Sequence, residues 1–428
     1  MDNRKVNSIL NNVLKKVSPL KEENAQIKVL LENFLNKIES RIGERKIKAE
    51  IFVGGSFAKD TMIKKDNYDI DLFLRFSEDG NLSNLTHDLL EGICDFEMVH
   101  GSRDYFKVKI KDYVYFEIVP VKKVNNPKDA DNITDLSYSH VKYINKKVKD
   151  KKVLNEIRLA KAFCYAIRCY GAESYISGFS GYSLELLVYY YGSFVKFLKG
   201  MIKASKGKKK MIIDIEKHHK SGKNISLDLN SAKLVSPVVL IDPTYKHRNA
   251  LAALSEETYK RFIMEAEAFL KNPSESAFEP RKTDIEAIKA KALKKKQEFT
   301  LLEAHTNKQA GDVAGSKLLK FYRHMVEEIS VFFNIKDKGF NYNKGKSARF
   351  YFVLNSKEEI IIDGPKVTDE KNMKKFRLKH SNFFTRGKKI YGREKINFNS
   401  RKFINNWKRD NAKKISEMYI TKINVVDN

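Results

Sequence analysis

The sequence predicts an α+β multidomain protein, with a small α/β domain at 1–125, a helix-rich central domain at 126–255 and a mixed α/β region at 256–428. Three observations predict it. The chain has 428 residues, and at roughly 100–200 residues per domain this length asks for two to four cores. Apolar residues make up 42% and aromatic residues 11%, enough to build those cores and too much for a disordered or fibrous chain. The hydrophobic period also changes along the chain, from alternation near the start to helical spacing in the middle and a mixture after 297.

Taken in order, residues 24–42 place Ile27, Leu30, Leu31, Phe34, Leu35, Ile38 and Ile42 on one helical face. Ile47, Ala49, Ile51 and Val53 then alternate with Lys48, Glu50 and Phe52 as a strand that stops at Gly54-Gly55-Ser56. Alternation returns at 68–76, 105–110 and 113–121, so helix followed by several strands predicts a small α/β domain able to handle nucleotides. From about 150 the spacing of Ile157, Ala160, Lys161, Cys164 and Ile167 is helical up to Tyr170-Gly171. A second helix is expected after Gly178-Phe179-Ser180-Gly181, carrying Leu184, Leu187, Val188, Tyr191 and Phe194. The composition of 272–296 turns polar and charged, as a linker or exposed helix would. Beyond 297 the pattern reads strand, helix (316–333), strand (348–354), strand (358–362) and a further Lys-rich helix.

The chemistry concentrates in the first domain. Asp69 and Asp71 sit on one predicted strand, so they face the same way, roughly 6.5–7 Å apart along the backbone, while Ile70, Leu72 and Leu74 face a core. Glu117 interrupts the apolar strand of Val114, Phe116 and Ile118 and can bring a third carboxylate to the same patch. Hard oxygen ligands of this kind suit Mg²⁺, which holds substrate phosphates while keeping some of its waters. The Gly55-Ser56 turn lets backbone approach a phosphate, Ser56 offers a hydroxyl and an amide, and Lys59 adds a cation. A Gly-Ser pair alone is an ordinary turn, and alternating acids alone are a solvated strand face. Strand, Gly-Ser turn, acidic strand and a later acidic strand together point to catalysis.

A net charge of +28 draws polyanions, nucleic acid first among them. Cys94, Cys164 and Cys169 lack the spacing of a zinc or redox site and are expected as reduced core residues. No stretch reaches the roughly 18 apolar residues of a membrane span, and the start, Met-Asp-Asn-Arg-Lys, carries no signal-like apolar block. The expectation is a cytoplasmic protein with no membrane partner.

GGSFAKDT followed by YDIDLFLRF resembles the nucleotidyltransferase signature shared with DNA polymerase beta, and YFEIVPV resembles its third-carboxylate strand. The segments RLAKAF, YGAE, GFSGYSLELLVYYYGSF and LIDPTYKHRNALAALS are similar to those of the archaeal-type CCA-adding enzymes, the tRNA nucleotidyltransferases of archaea. The similarity covers residues 40 to 255 and continues more loosely through GDVAGSKLLKFYRHM, IDGPKVTDEKNMKKFRLKHSNFF and GREKI. The EDxxR-type nucleotide template of bacterial and eukaryotic enzymes is not found.

The resemblance implies a polymerase-beta-like head, a helical neck and an RNA-binding C-terminal region. It implies two Mg²⁺ ions on Asp69, Asp71 and Glu117, the last standing where the family usually has Asp. It implies nucleotide contacts from Gly55, Ser56, Lys59 (often Arg in the family), Ser137 and His140 of DLSYSH, Lys161 and Tyr170 nine residues apart, and Arg248 of HRNA on the incoming base. The start of the helix after Gly178, Ser180 and Gly181 can face a triphosphate or RNA backbone. Lys208, Lys209 and Lys210 form a basic run that is either an RNA contact or a solvated face. The implied activity adds C, C and A to the tRNA 3′ end from CTP and ATP without a nucleic-acid template, gripping the acceptor arm, as a monomer or a homodimer. The alternative is another polymerase-beta-like RNA nucleotidyltransferase, of the poly(A) or oligoadenylate type. A catalytically dead RNA-binding relative is disfavoured by the three carboxylates, and a basic scaffold protein by all of the motifs.

Overall fold

The computed structural model describes residues 3–426 apart from 102, 220–224, 226–228 and 282. The chain forms two compact units, Met1–Arg281 and Lys282–Asn428. In the first, β1 (Ala49–Val53), β2 (Tyr68–Phe76), β3 (Glu97–Val99), β4 (Tyr105–Lys111) and β5 (Val114–Lys122) make one sheet in the order β1-β2-β5-β4-β3. β2 and β5 run parallel and the other neighbours antiparallel. Strand alternation buries Ile70, Leu72, Leu74 and Phe76 in one core with Ile27, Leu31, Phe34 and Ile38 of α2 (Lys21–Glu44) and Leu89 and Leu90 of α4 (Leu82–Leu90). Phe34 meets Phe116 edge-on at 5.1 Å between ring centroids. The face that carries Asp69 and Asp71 is thereby turned away from the helices.

A second core in the same unit joins α1 (Asn3–Val17), α5 (Ser137–Lys147), α6 (Lys151–Ala166), α7 (Gly181–Tyr191), α8 (Phe194–Ser205) and the helix Glu256–Lys271. Val6, Leu10 and Val13 are buried in it, so α1 precedes the first sheet in sequence yet packs with the helices. Phe262 and Phe269 of the helix Glu256–Lys271 lie among Phe163, Phe179, Phe194 and Phe197. That helix, placed beyond the 255 boundary by composition, therefore belongs to the first unit, which runs on to Arg281. The single helix expected across 181–194 is two, because Gly192 takes φ +81°, open to glycine, and the Ser193 side chain caps a new start at the Lys196 amide. β6 (Met211–Asp214), β7 (Val238–Asp242) and β8 (Tyr245–Asn249) form a three-stranded sheet beside these helices.

The second unit is built on an antiparallel sheet in the order β10-β11-β9-β15 (Phe333–Tyr342, Ser347–Ser356, Glu298–Thr306 and Ile420–Val426). The helices Asp312–Phe332 and Ser400–Asp410 bury Leu318, Phe321, Met325, Phe403 and Trp407 against it. The helix Ile285–Lys294, expected as linker or exposed helix, packs Ala292 with Leu301, Tyr351 and Val353 on another surface of the sheet. A further sheet, β12-β14-β13 (Glu359–Lys366, Lys389–Lys395 and Phe383–Arg386), lies with the helix Glu370–Lys379. Its pairing, and strand β10, were not readable from alternation, because most of their side chains are exposed or half-buried. No helix among the described residues is long and apolar enough to cross a membrane.

Candidate active site

The parallel join of β2 to β5 sets Asp71 beside Glu117 in register, with Asp69 two residues back on the same face. Three carboxylates therefore share one patch of sheet. Burial, and then the charges of Asp69 and Asp71, push Glu117 up to about 7. Burial also raises Asp71, a rise that Lys59 and Lys65 oppose and Asp69 reinforces. Lys107, opposite Glu117 on β4, reaches into the patch and donates to Asp69 Oδ1 at 3.0 Å and to Glu117 Oε1 at 3.4 Å. Lys107 is the one ammonium hydrogen-bonded to the patch, with Lys59 and Lys65 acting on Asp71 from further off. Three hard-oxygen donors on one face of the sheet are of the type that suits divalent Mg²⁺, although their oxygens do not all lie within 4.8 Å of one another.

Gly54 and Gly55 bring the chain against this patch. The Gly54 amide donates to the Asp71 carbonyl at 2.8 Å, and Gly55 takes φ +59° at the start of the short helix α3 (Gly55–Ala58), followed at once by Ser56. A Cβ on Gly55 would stand 1.6 Å from Asp71 Oδ2, so only glycine leaves that carboxylate where it is. Gly55→Ala is expected to lower the turnover of this site about a hundredfold, the scale of an ångström of misplacement at a reacting centre. Steady-state rates test this, and a loss below threefold would show the turn to be incidental.

Lys59 and Lys161 converge although 102 residues separate them in sequence. Both bind Glu185 of α7, Lys59 Nζ at 2.6 Å from Oε2 and Lys161 Nζ at 2.7 Å from Oε1, and the Thr61 hydroxyl donates to the same Oε1 at 2.8 Å. Lys161 is 1% exposed and Glu185 0%. Burial lowers Lys161 to about 8, even with Glu185 supporting its charge. Burial works against the charge of Glu185 too, but the two ammonium groups outweigh it and hold the carboxyl well below the usual range. A Cβ on Gly181 would stand 3.0 Å from the Tyr170 hydroxyl and 3.8 Å from Lys161 Nζ, and Lys65 Nζ stands 5.6 Å from the Tyr170 ring. Arg158 of α6 ties the intervening loop down, donating to the carbonyls of Asp60 at 2.7 Å and Met62 at 3.3 Å.

A second buried carboxylate, Asp242 at the end of β7, organises the remaining candidates. It accepts from Arg248 Nη1 at 2.6 Å, His140 Nε2 at 3.0 Å and the Tyr182 hydroxyl at 3.0 Å, and from the amide and hydroxyl of Thr244 at 2.8 Å each. Burial would raise Asp242, but the His140 hydrogen bond, Arg248 and the Thr244 amide hold it below its ordinary value. Burial moves His140 down, so at neutral pH the imidazole is uncharged and gives Asp242 a hydrogen bond, leaving Arg248 as the charge partner. The His140 ring stacks on Tyr182 at 4.1 Å, and Lys59 Nζ stands 5.9 Å over that same ring. Ser137 opens the helix that carries His140, one turn earlier. Lys59, Lys161, His140 and Arg248 are thus linked through Glu185, Tyr182 and Asp242, and the Thr61 amide joins that network to the Ser56 carbonyl beside the carboxylate patch. Lys208, Lys209 and Lys210 are exposed between α8 and β6, outside that set, with the Lys210 ammonium on the Leu234 carbonyl.

Sequence reasoning missed Lys107, Glu185, Tyr182 and Asp242. A signal existed for the acids: Glu185 is a lone charge within Leu184, Leu186, Leu187 and Val188, and Asp242 closes the apolar run VVLI. Acids in such positions are buried only when paired.

Residues 155–279 match the family model described as tRNA nucleotidyltransferase, second domain. The chain is 32% identical over 341 residues to a CCA-adding enzyme of Nanoarchaeum equitans, covering 79% of this chain and 81% of that protein. It is 33% identical over 281 residues to the CCA-adding enzyme of Thermococcus gammatolerans, covering 64% of this chain and 60% of that protein. With the Saccharolobus shibatae enzyme it is 33% identical over 287 residues, covering 66% and 63%. Among solved structures, Cid1 in complex with its short product ApU superposes at TM-score 0.52 and 13% identity, over 66% of this chain and all of that one. A cytoplasmic RNA terminal U-transferase superposes at TM-score 0.50 and 13% identity, again over 66% of this chain. Likeness at that identity is a likeness of fold.

Proposed function

The chain belongs to the archaeal CCA-adding enzymes, tRNA nucleotidyltransferases of the polymerase-beta-like superfamily, and on that premise we propose that it adds C, C and A to the 3′ end of tRNA from CTP and ATP. The observation that carries the reading is the placement of Asp69, Asp71 and Glu117 beside a Gly-Ser turn and a pair of ammonium groups. Asp69 and Asp71 would hold two Mg²⁺ ions, with Glu117 on one of them. When bound, the ions lower the pKa of the RNA 3′-hydroxyl and offset charge on the leaving pyrophosphate.

The chain's own groups do the rest. Lys59 and Lys161 offset triphosphate charge, the Ser56 hydroxyl and amide donate to phosphate oxygens, and Gly55 lets the backbone come close. Attack is in line on the α-phosphorus, with positioning supplying most of the rate. Arg248 is fixed at one end by Asp242, so the free edge of its planar fork is aimed by a buried anchor and can read base acceptors. His140 and Tyr170 flank the sugar and phosphates. The region from 282 grips the acceptor arm through backbone and shape, as duplex RNA is generally recognised, and Lys208, Lys209 and Lys210 extend the phosphate contacts.

The test is transfer of labelled CTP and ATP onto a tRNA transcript lacking its terminal CCA, with Mg²⁺ present. Growth by three nucleotides followed by arrest is expected. Long homopolymer tails would replace this reading with the poly(A)-type one, and absence of growth would overturn both.

A further inference from the structure

Glu185 has no place in the chemistry described above, yet it is a buried charge with both oxygens paired. Its carboxylate takes one ammonium on each oxygen and the Thr61 hydroxyl as a third donor, on α7 at a position 0% exposed. Lys161 adds a donated bond to the Thr61 hydroxyl at 2.7 Å and another to the Thr61 carbonyl at 3.3 Å. Lys59 comes from the turn after α3 and Lys161 from the middle of α6, elements joined here by this carboxylate. Two ammonium groups on long stems have large rotamer freedom, and without an anchor each would have to be ordered by the nucleotide itself.

We propose that Glu185 is a positioning residue that fixes the ammonium groups of Lys59 and Lys161 for the triphosphate of the incoming nucleotide. The proposal rests on the reading of those lysines as triphosphate contacts, and it assigns to Glu185 a selectivity for the triphosphate over the nucleoside monophosphate. Removing the carboxylate would not simply add positive charge. Lys161 faces Glu185 on α7, Lys59 and Lys65 on the loop after α3, and Gly181 near the Tyr170 hydroxyl. With Glu185 neutral, its remaining charged neighbours are cations, so burial and Lys59 together strip its proton near neutral pH. The cluster would keep a net charge of one, now on an ammonium that nothing holds.

The experiment measures binding of CTP and of CMP to the full chain without RNA, by calorimetry, for the parent, Glu185→Gln and Lys161→Met. In Glu185→Gln the Kd for CTP should rise about tenfold or more, the scale of a charge-assisted contact, while the Kd for CMP stays within about twofold. Lowering the pH from 7.5 to 6 should recover CTP affinity in Glu185→Gln, where Lys161 regains its proton, and should not change the parent comparably. Equal weakening of CTP and CMP, or tighter CTP binding in Glu185→Gln, would overturn the proposal. If Lys161→Met left CTP binding unchanged, the failure would lie in the underlying reading of the lysines. Should Glu185→Gln lose its circular-dichroism spectrum, Thr61→Val, which removes one donor and no charge, carries the test: a smaller shift in the same CTP-to-CMP ratio is expected, and an unchanged ratio overturns the role.

Discussion

Asp71→Ala is expected to abolish nucleotide addition, by about a thousandfold or more, since on the proposed reading this carboxylate would help hold metal ions supplying several kcal/mol of charge stabilisation at the reacting phosphate. Binding of tRNA should stay within about threefold of the parent in the same experiment, because phosphate contacts along the RNA set that affinity. Stability should not fall. Asp71 sits in register with Glu117 and near Asp69, and burial raises its pKa above the ordinary aspartate value, which means the folded state disfavours the carboxylate at neutral pH. Removing a charge that the fold disfavours leaves the melting temperature equal or higher, the usual signature of a residue kept for function at a cost in stability. Rates, filter binding and thermal melting on one preparation check the three statements. Parallel loss of activity, tRNA binding and melting temperature would make Asp71 a structural residue.

Asp242→Ala should produce the largest loss of stability, on the order of 3–5 kcal/mol for a buried ion pair broken on one side. Arg248, His140, Tyr182 and Thr244 all lose their acceptor at once, in a place where Asp242 is 0% exposed. The melting temperature of the first unit should fall by about 10 °C. Asp242→Asn keeps an acceptor and loses the charge, so it should fall less, yet discriminate less well between CTP or ATP and UTP or GTP, because Arg248 is no longer aimed. The pH dependence follows from His140. Its folded pKa lies below the unfolded value of about 6.5, so the folded state binds fewer protons and stability is lost as pH falls below that value. Without Asp242 to support a charged imidazole, the same loss should steepen on the acid side. Denaturation at pH 7.5 and 5.5 tests this, and a loss under 1 kcal/mol for Asp242→Ala would show the network to be dispensable.

The sequence by itself determined the sheet face and which carboxylates are candidate ligands. Period-2 alternation with Ile70, Leu72 and Leu74 inward leaves Asp69 and Asp71 no choice of side, and a one-residue slip would bury them. The motifs around Gly55, Lys161 and Arg248 likewise fixed which residues to watch, and the cysteines at 164 and 169 are buried as expected. Helical spacing placed α2, α6 and α7, whose apolar residues are buried in the two cores of the first unit. Other elements escaped: α1, although Val6, Leu10 and Val13 form a regular apolar stripe that packs on the central helices, and β10, whose side chains are mostly half-buried or exposed.

Only the tertiary structure decided who meets whom. Alternation says which way Glu117 points but not that β5 joins β2 in parallel with Glu117 opposite Asp71, since strand pairing is a long-range choice with no local signal. Nothing at position 59 or 161 predicts that both lysines end on Glu185, or that Arg248 and His140 share Asp242. The physical reason is that burial of a charge is a property of the assembled core. Each of these side chains is an ordinary solvated ion in the unfolded chain, and only when helices and strands distant in sequence exclude water must every buried charge find its partner.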